Sequence, residues 1–337
     1  MSDATRLDIA ASPHIQAADS TARIMWTVVA SLMPVVAASF WFFGLSALLV
    51  IAAAVLGAMI TERAFGRPRA LRDGSAAITG ILLGLTLPSG FPLWMAALGG
   101  FFAIAVGKLV FGGLGQNVFN PALLGRAFLQ GAFPTAITTF APEGGSRLAL
   151  HASNFALPFM KVPKVDVVTS ATPLGLMKFE HTGTGIWELM VGATGGSLGE
   201  TAGLLILACG LYLALERYLD WRIPVAVLGT VALFSAPLHA LDPARYPGAP
   251  FMLFSGGLML GAVFMATDMV TAPVTHLGRW IFGAGIGVLV VLIRVWGGLP
   301  EGVMYAILLM NALVPFINRA TQPRVFGTAR HGKEATS

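Results

Sequence analysis

Few residues in this chain have the type and spacing that could do chemistry. The clearest lie in a short polar stretch, Asp166-Val167-Val168-Thr169-Ser170-Ala171-Thr172-Pro173-Leu174. Proline disfavours the helical region for the residue before it, so Thr172 is expected to be extended. Ser170 and Ala171 are small, which leaves room for a bulky group to approach the Thr172 hydroxyl. The chemistry on offer is attachment through a side-chain oxygen. On these residues alone, a solvated loop is the better reading. Arg126 follows an Asn120-Pro121 break inside an apolar stretch. Intramembrane charges are expensive and functional by default. Arg126 could bind an anionic group, pair with a neighbouring subunit, or be purely structural. Asp268 closes another apolar stretch beside Thr267 and Thr271. It could cap the next helix, coordinate a cation, or sit in an ordinary turn. Lys108 and Arg294 lie nearer the ends of apolar stretches, where long stems reach the interface, and are read as structural. His239 and His276 are far apart and no histidine pair has ligand spacing, so no metal site is expected. Cys209 is the one cysteine, which excludes an internal disulfide and an all-protein cysteine cluster. No Gly-x-Gly-x-x-Gly fingerprint follows a strand, so nicotinamide binding is not expected in this chain.

The elements that must position these residues are apolar helices. Of 337 residues, 56% are hydrophobic and only 11% are charged, where soluble domains have about 25%. So few charges cannot coat a water-facing surface. No Asp, Glu, Lys or Arg occurs from Ile24 to Ile60 or from Gly74 to Gly107. A span needs roughly 20 apolar residues, so each stretch holds two spans joined by a tight turn. The net charge of +5 does not point to nucleic acid, because the basic residues flank the apolar stretches, where membrane topology places them. The first 22 residues carry Asp3, Asp8 and Asp19 and no apolar core, so the first span is expected to be a retained anchor.

The pattern predicts an all-α integral membrane protein with ten spans. These are 24–43, 45–60, 76–88, 92–111, 118–133, 200–215, 223–240, 251–266, 280–296 and 302–318. The third, fifth and eighth contain or abut Gly and Pro, which suggests broken helices around a central site. With both termini cytoplasmic, the cytoplasmic segments hold 14 of the 21 Lys and Arg residues, as the positive-inside rule requires. The chain then divides into a cytoplasmic N-terminus (1–23), a first transmembrane half (24–133), a periplasmic segment (134–199), a second half (200–318) and a cytoplasmic tail (319–337). The halves look related. Gly112-Gly113-Leu114, Val118 and Leu123-Leu124 recur 185 residues later as Gly297-Gly298-Leu299, Val303 and Leu308-Leu309. Five spans per half would make the second copy inverted.

Three stretches carry a family resemblance. They are Gly112 to Ala122 with Gly125-Arg126-Ala127-Phe128, the threonine motif Asp166 to Thr172, and Phe264 to Pro273 with Gly278 to Gly283. From about residue 20 to 326 the chain resembles the RnfD family, membrane subunits of ion-translocating ferredoxin:NAD oxidoreductases. It is similar, more distantly, to NqrB of the sodium-pumping quinone reductase. The resemblance implies FMN joined to Thr172 by a phosphoester, with Asp166, Thr169, Ser170 and Ala171 forming the motif that a flavin transferase reads. Thr169 and Ser170 replace the family's usual Ser-Gly, and Met269 stands where proline is common. The resemblance further implies a second, non-covalent flavin, riboflavin or FMN, with Asp268 among its holders. It implies residence in the bacterial inner membrane and partners among membrane, flavoprotein and iron–sulfur subunits. The function expected is electron transfer within an ion-translocating oxidoreductase, incomplete as a catalyst alone. A solute transporter shares the inverted-repeat architecture, and a flavin-free assembly subunit shares the fold. The threonine motif separates the first reading from both.

Overall fold

The computed structural model describes residues 19–66, 70–140, 147–148, 150–158, 172–180, 182–192, 194–200, 202–243 and 245–323. Asp166, Thr169, Ser170 and Ala171 lie outside them. Among the described residues the structure is helical, with no strand. The first five helices are α1 (Thr21–Phe43), α2 (Leu45–Phe65), α3 (Ser75–Leu85), α4 (Leu93–Ile104) and α5 (Pro121–Ala132). Helix α4 continues as a π-helical turn, Ala105–Leu109. Short helices α6 (Pro134–Thr138), α7 (Pro173–Gly175) and α8 (Ile186–Val191) follow. The last six are α9 (Gly203–Leu215), α10 (Arg222–Leu241), α11 (Ala249–Phe254), α12 (Leu258–Leu260), α13 (His276–Trp296) and α14 (Val303–Thr321). Helices α1, α2, α10, α13 and α14 are long and apolar enough to cross a bilayer, and α3, α4 and α9 are shorter apolar helices. The chain is a multi-pass membrane protein.

The expected eighth span is not continuous. Helix α11 stops at Phe254, the chain turns at Ser255-Gly256-Gly257, and α12 runs on as a π-helical turn, Gly261–Met265. Gly256 has φ +65, and a Cβ there would lie 2.6 Å from Leu174 Cδ1 and 2.9 Å from Glu301 Oε1. Only glycine satisfies both the left-handed backbone and the close approach. The free carbonyls of α11 are met by Arg294, which donates to Met252 O at 2.5 Å and Ser255 O at 2.9 Å. The fifth span is shortened at its start. Asn120 caps α5, accepting from the Ala122 and Leu123 amides at 3.0 and 3.3 Å, with Pro121 as the first helical residue. Its Nδ2 donates to Met265 O at 3.1 Å, which ties the first break to the second.

Helix α2 packs tightly on α4 through small residues. A Cβ on Gly100 would strike the Ala54 carbonyl, and one on Gly57 would strike the Ala97 backbone. Close backbone approach through small residues is how helices associate without a hydrophobic drive between them. Gly100→Leu is expected to lower the thermal midpoint of the detergent-solubilised chain, because overpacking a fitted contact costs about 1–3 kcal/mol even where side chains can yield. Gly131→Leu, where nothing lies within 4 Å of the new Cβ, should leave it unchanged. Equal midpoints for the two variants would contradict this packing.

Helices α1 and α14 meet one end of the bundle together. Tyr218 donates to Asp19 at 2.9 Å just before α1, Arg279 Nη1 to Asp220 at 2.5 Å, and Thr275 contacts Thr321 at 2.5 Å. The Thr172 segment lies at the other end. Lys178 donates to Gly297 O at 2.5 Å and Leu299 O at 2.8 Å beyond α13, and Leu174 packs on Phe251 and Leu189.

Candidate functional site

Thr172 is extended, with φ −68 and ψ 151, as the following proline dictates. Its hydroxyl does not simply point into solvent. Oγ1 accepts from the Gly175 amide at 3.2 Å, capping the short α7. This bond asks only for a lone pair, so the oxygen can keep it after losing its hydrogen to an ester.

Thr172 lines a cavity of about 100 Å³ with Arg126, Gln130, Ser197, Glu200 and Glu301. Arg126 is thus brought to the same site as Thr172. It points from α5 and donates through Nη2 to Glu301 Oε2 at 3.3 Å, so its partner lies within the chain. Its Nε is buried and has no partner among the described residues. Glu301 also accepts the Gly257 amide at the α11–α12 break. Glu200 lines the same cavity, with Ser197 and Glu301. Sequence reading did not single out Glu200 or Glu301. Each stands in a Gly-rich loop before a helix, where an acid reads as a cap. The signal available was an acid in a loop too apolar to reach water.

Beyond Leu174 and Pro300 lies a larger space of about 680 Å³, lined by Lys178, Phe179, Arg245, Tyr246, Phe251 and Arg294 among others. Arg294 is 4% exposed and its Nε has no partner among the described residues. It does not reach the interface as its place near a span end suggests, because the carbonyls freed by the broken α11 hold it inside.

Asp268 lies at the opposite end of the bundle, away from Thr172. It accepts from the Val270 amide and from Thr271 Oγ1, both at 3.2 Å, which makes it the hinge of a tight turn rather than a helix cap. It lines a second cavity of about 100 Å³ with Asn117, Asn120, Lys108 and Ser75. Lys108 is buried too, 3% exposed, with Nζ on Glu62 Oε1 at 2.5 Å and Ser75 Oγ at 2.6 Å. Its head does not rise to the interface, because Glu62 on α2, 2% exposed, neutralises it where it stands.

The two cavities abut. Ala122 faces the Asp268 cavity and Leu123 the Thr172 cavity, and Phe264 and Met265 divide in the same way. The two sites are therefore stacked end to end through the bundle, parted by the residues around the two helix breaks.

The chain is 42% identical over 337 residues to the D subunit of the proton-translocating ferredoxin:NAD(+) oxidoreductase complex of Clostridium ljungdahlii, covering 96% of each chain. It is 41% identical to the D subunit of the Na(+)-translocating ferredoxin:NAD(+) oxidoreductase complex of Acetobacterium woodii, covering 98% of each. It is 43% identical to the D subunit of the ion-translocating oxidoreductase complex of Stutzerimonas stutzeri, over 93% of this chain and 94% of the relative. The family model described as the NQR2, RnfD, RnfE family matches residues 8–327. The chain therefore belongs to the NQR2, RnfD, RnfE family.

Proposed function

We propose that this chain is the D-type membrane subunit of an ion-translocating ferredoxin:NAD oxidoreductase, carrying FMN as a phosphoester on Thr172. The observation that carries this reading is the Thr172 hydroxyl itself. It sits on extended backbone, accepts from the Gly175 amide, and opens on a cavity where Arg126 offers a buried Nε with no partner among the described residues. A guanidinium suits a phosphate group. The neighbouring space of about 680 Å³, with its apolar and aromatic walls, falls in the size range of cofactor sites. The flavin, once attached, supplies one- and two-electron chemistry; the protein binds and orients it and limits its contact with water. Attachment through phosphate leaves the ring free to change redox state.

Asp268, Asn117, Asn120 and Lys108 supply donors and acceptors suited to the polar edge of a second, non-covalent flavin, riboflavin or FMN. A volume of about 100 Å³ is below that of a ligand pocket, so this cavity must widen to admit it. Acid precipitation should release one flavin per chain from the wild type and clearly less from Asp268→Asn. Equal release from both would remove Asp268 from that role.

In this reading the ten apolar segments form two inverted halves in a bacterial inner membrane, with termini cytoplasmic and Thr172 periplasmic. Partners are the other membrane, flavoprotein and iron–sulfur subunits, and a flavin transferase acts during maturation. Two relatives of nearly equal likeness are named for different ions, so likeness does not carry the coupling ion to this chain. A transporter has no use for the threonine motif. The test is in-gel fluorescence. Made beside an active flavin transferase, the denatured chain should fluoresce; made without one, it should not. A dark band in both would return the chain to the transporter or assembly reading.

A further inference from the structure

Four helices with exposed apolar faces agree on the thickness of the apolar layer around this chain. On α1 the exposed side chains between Trp26 and Trp41 are Ala30, Met33, Pro34 and Ala37, one continuous stripe. Trp41 lies fifteen residues after Trp26, about 22 Å at the α-helical rise. On α13 the exposed stripe from Trp280 through Val288 and Leu292 ends at Trp296, about 24 Å on. On α14 it runs from Tyr305 to Arg319, about 21 Å. Helix α9, with Leu204, Leu211 and Leu215 exposed, has only 13 residues in all, about 20 Å. Tryptophan and tyrosine sit at the headgroup level of a bilayer, so the hydrocarbon lies between them. These anchors are held in place. Trp26 donates through Nε1 to Arg72 O at 3.2 Å, and the Arg147 guanidinium lies 3.5 Å over the Trp41 ring. Trp280 meets Trp221 edge-on with ring centroids 6.1 Å apart, and the Trp296 ring lies 6.4 Å from that of Tyr246. Charge begins just outside them, at Arg23 and Arg279 on one edge and at Arg147 and Arg245 on the other. All four lengths fall short of the ~30 Å hydrocarbon core of a typical bilayer. Helices α2 and α10 carry longer apolar faces, but a long helix fits a thin layer by tilting, whereas a short one cannot be stretched to a thick one. Tilt of α1 or α13 only thins the layer further.

We propose that the lipid-facing surface of this chain fits a hydrocarbon layer of about 20–24 Å, and that its partner there is phospholipid with acyl chains shorter than those of the bulk membrane. Such lipids gather around the chain, and where they are scarce the bilayer thins locally at its surface. The match is one of length, set by the aromatic edges, and asks nothing of the headgroup. Mismatch also weighs on the folded chain, so its stability falls as the surrounding bilayer thickens. None of this rests on flavin attachment.

The experiment places the full chain in vesicles of two phosphatidylcholines, dimyristoleoyl and dioleoyl, mixed over a range of ratios. In one series the short lipid is dibrominated, in the other the long one. Bromine quenches tryptophan only near contact, so the two series together give the relative binding of the two lipids at the protein surface. The short lipid is expected to bind about two- to threefold more strongly. Trp26→Leu combined with Trp280→Leu unpins one edge and should bring that ratio close to one. Trp94→Leu, half-buried against Phe133, should leave it unchanged. The remaining tryptophans report in every variant. In a second measurement, the thermal midpoint of the wild type should be lower in dierucoylphosphatidylcholine than in dimyristoleoylphosphatidylcholine. Equal binding of the two lipids by the wild type, a preference for the dioleoyl lipid, or the reverse order of midpoints overturns the proposal. A wild-type preference that the double variant keeps in full overturns the aromatic edges as its cause.

Discussion

Thr172→Ala, made beside an active flavin transferase, is expected to run as a dark band on a denaturing gel where the wild type fluoresces. The effect rests on a single atom. Alanine removes the only side-chain oxygen at this position, and Pro173 next door keeps the backbone extended whatever stands before it. The folded state loses little. The hydroxyl caps a three-residue helix by accepting from Gly175, and losing such a cap costs about 1 kcal/mol. Loss of flavin with retained expression and thermal midpoint therefore reports chemistry rather than unfolding. Thr172→Ser keeps both the oxygen and the acceptor geometry and should retain fluorescence. A fluorescent Thr172→Ala chain would move the attachment elsewhere.

The second large effect concerns stability. Lys108→Met is expected to destabilise the detergent-solubilised chain by about 3–5 kcal/mol, the usual cost of leaving one member of a buried pair alone. Lys108 and Glu62 are 3% and 2% exposed, on α4's π-turn and α2. Glu62 Oε2 already lacks a partner among the described residues, and the Ser75 hydroxyl that shares the ammonium donates to Asp73 instead. Replacing both, as Glu62→Leu with Lys108→Met, removes the stranded charge and should recover most of the loss. Thermal unfolding of the two singles and the double closes the cycle. If the double is no better than the singles, the pair is not the source of the cost.

Much of the fold is legible in the sequence because bilayer length and apolar run length are the same physical constraint. The expected span 45–60 became Leu45–Phe65, 223–240 became Arg222–Leu241, and 302–318 became Val303–Thr321. The Asn120-Pro121 break is legible for a local reason, a capping side chain followed by a residue that can only start a helix. The break inside 251–266 is half legible: Gly256 and Gly257 mark it, but only the fold shows that Arg294 caps the severed end. The candidate site was legible where the proposal rests on one residue, as it does on Thr172. It was not legible where chemistry depends on residues meeting across the bundle. Arg126 and Glu301 are 175 positions apart, and Glu62 and Lys108 are 46 apart. No spacing rule joins such partners, and Lys108 and Arg294 read as interface residues because each was judged by its position along one helix.

The mass of the intact chain tests flavin attachment most directly. Purified after production with an active flavin transferase, the polypeptide should be heavier by one phosphoester-linked FMN, and fragmentation should put that mass on Thr172. An unmodified mass from such a preparation, or an adduct on any other residue, contradicts it.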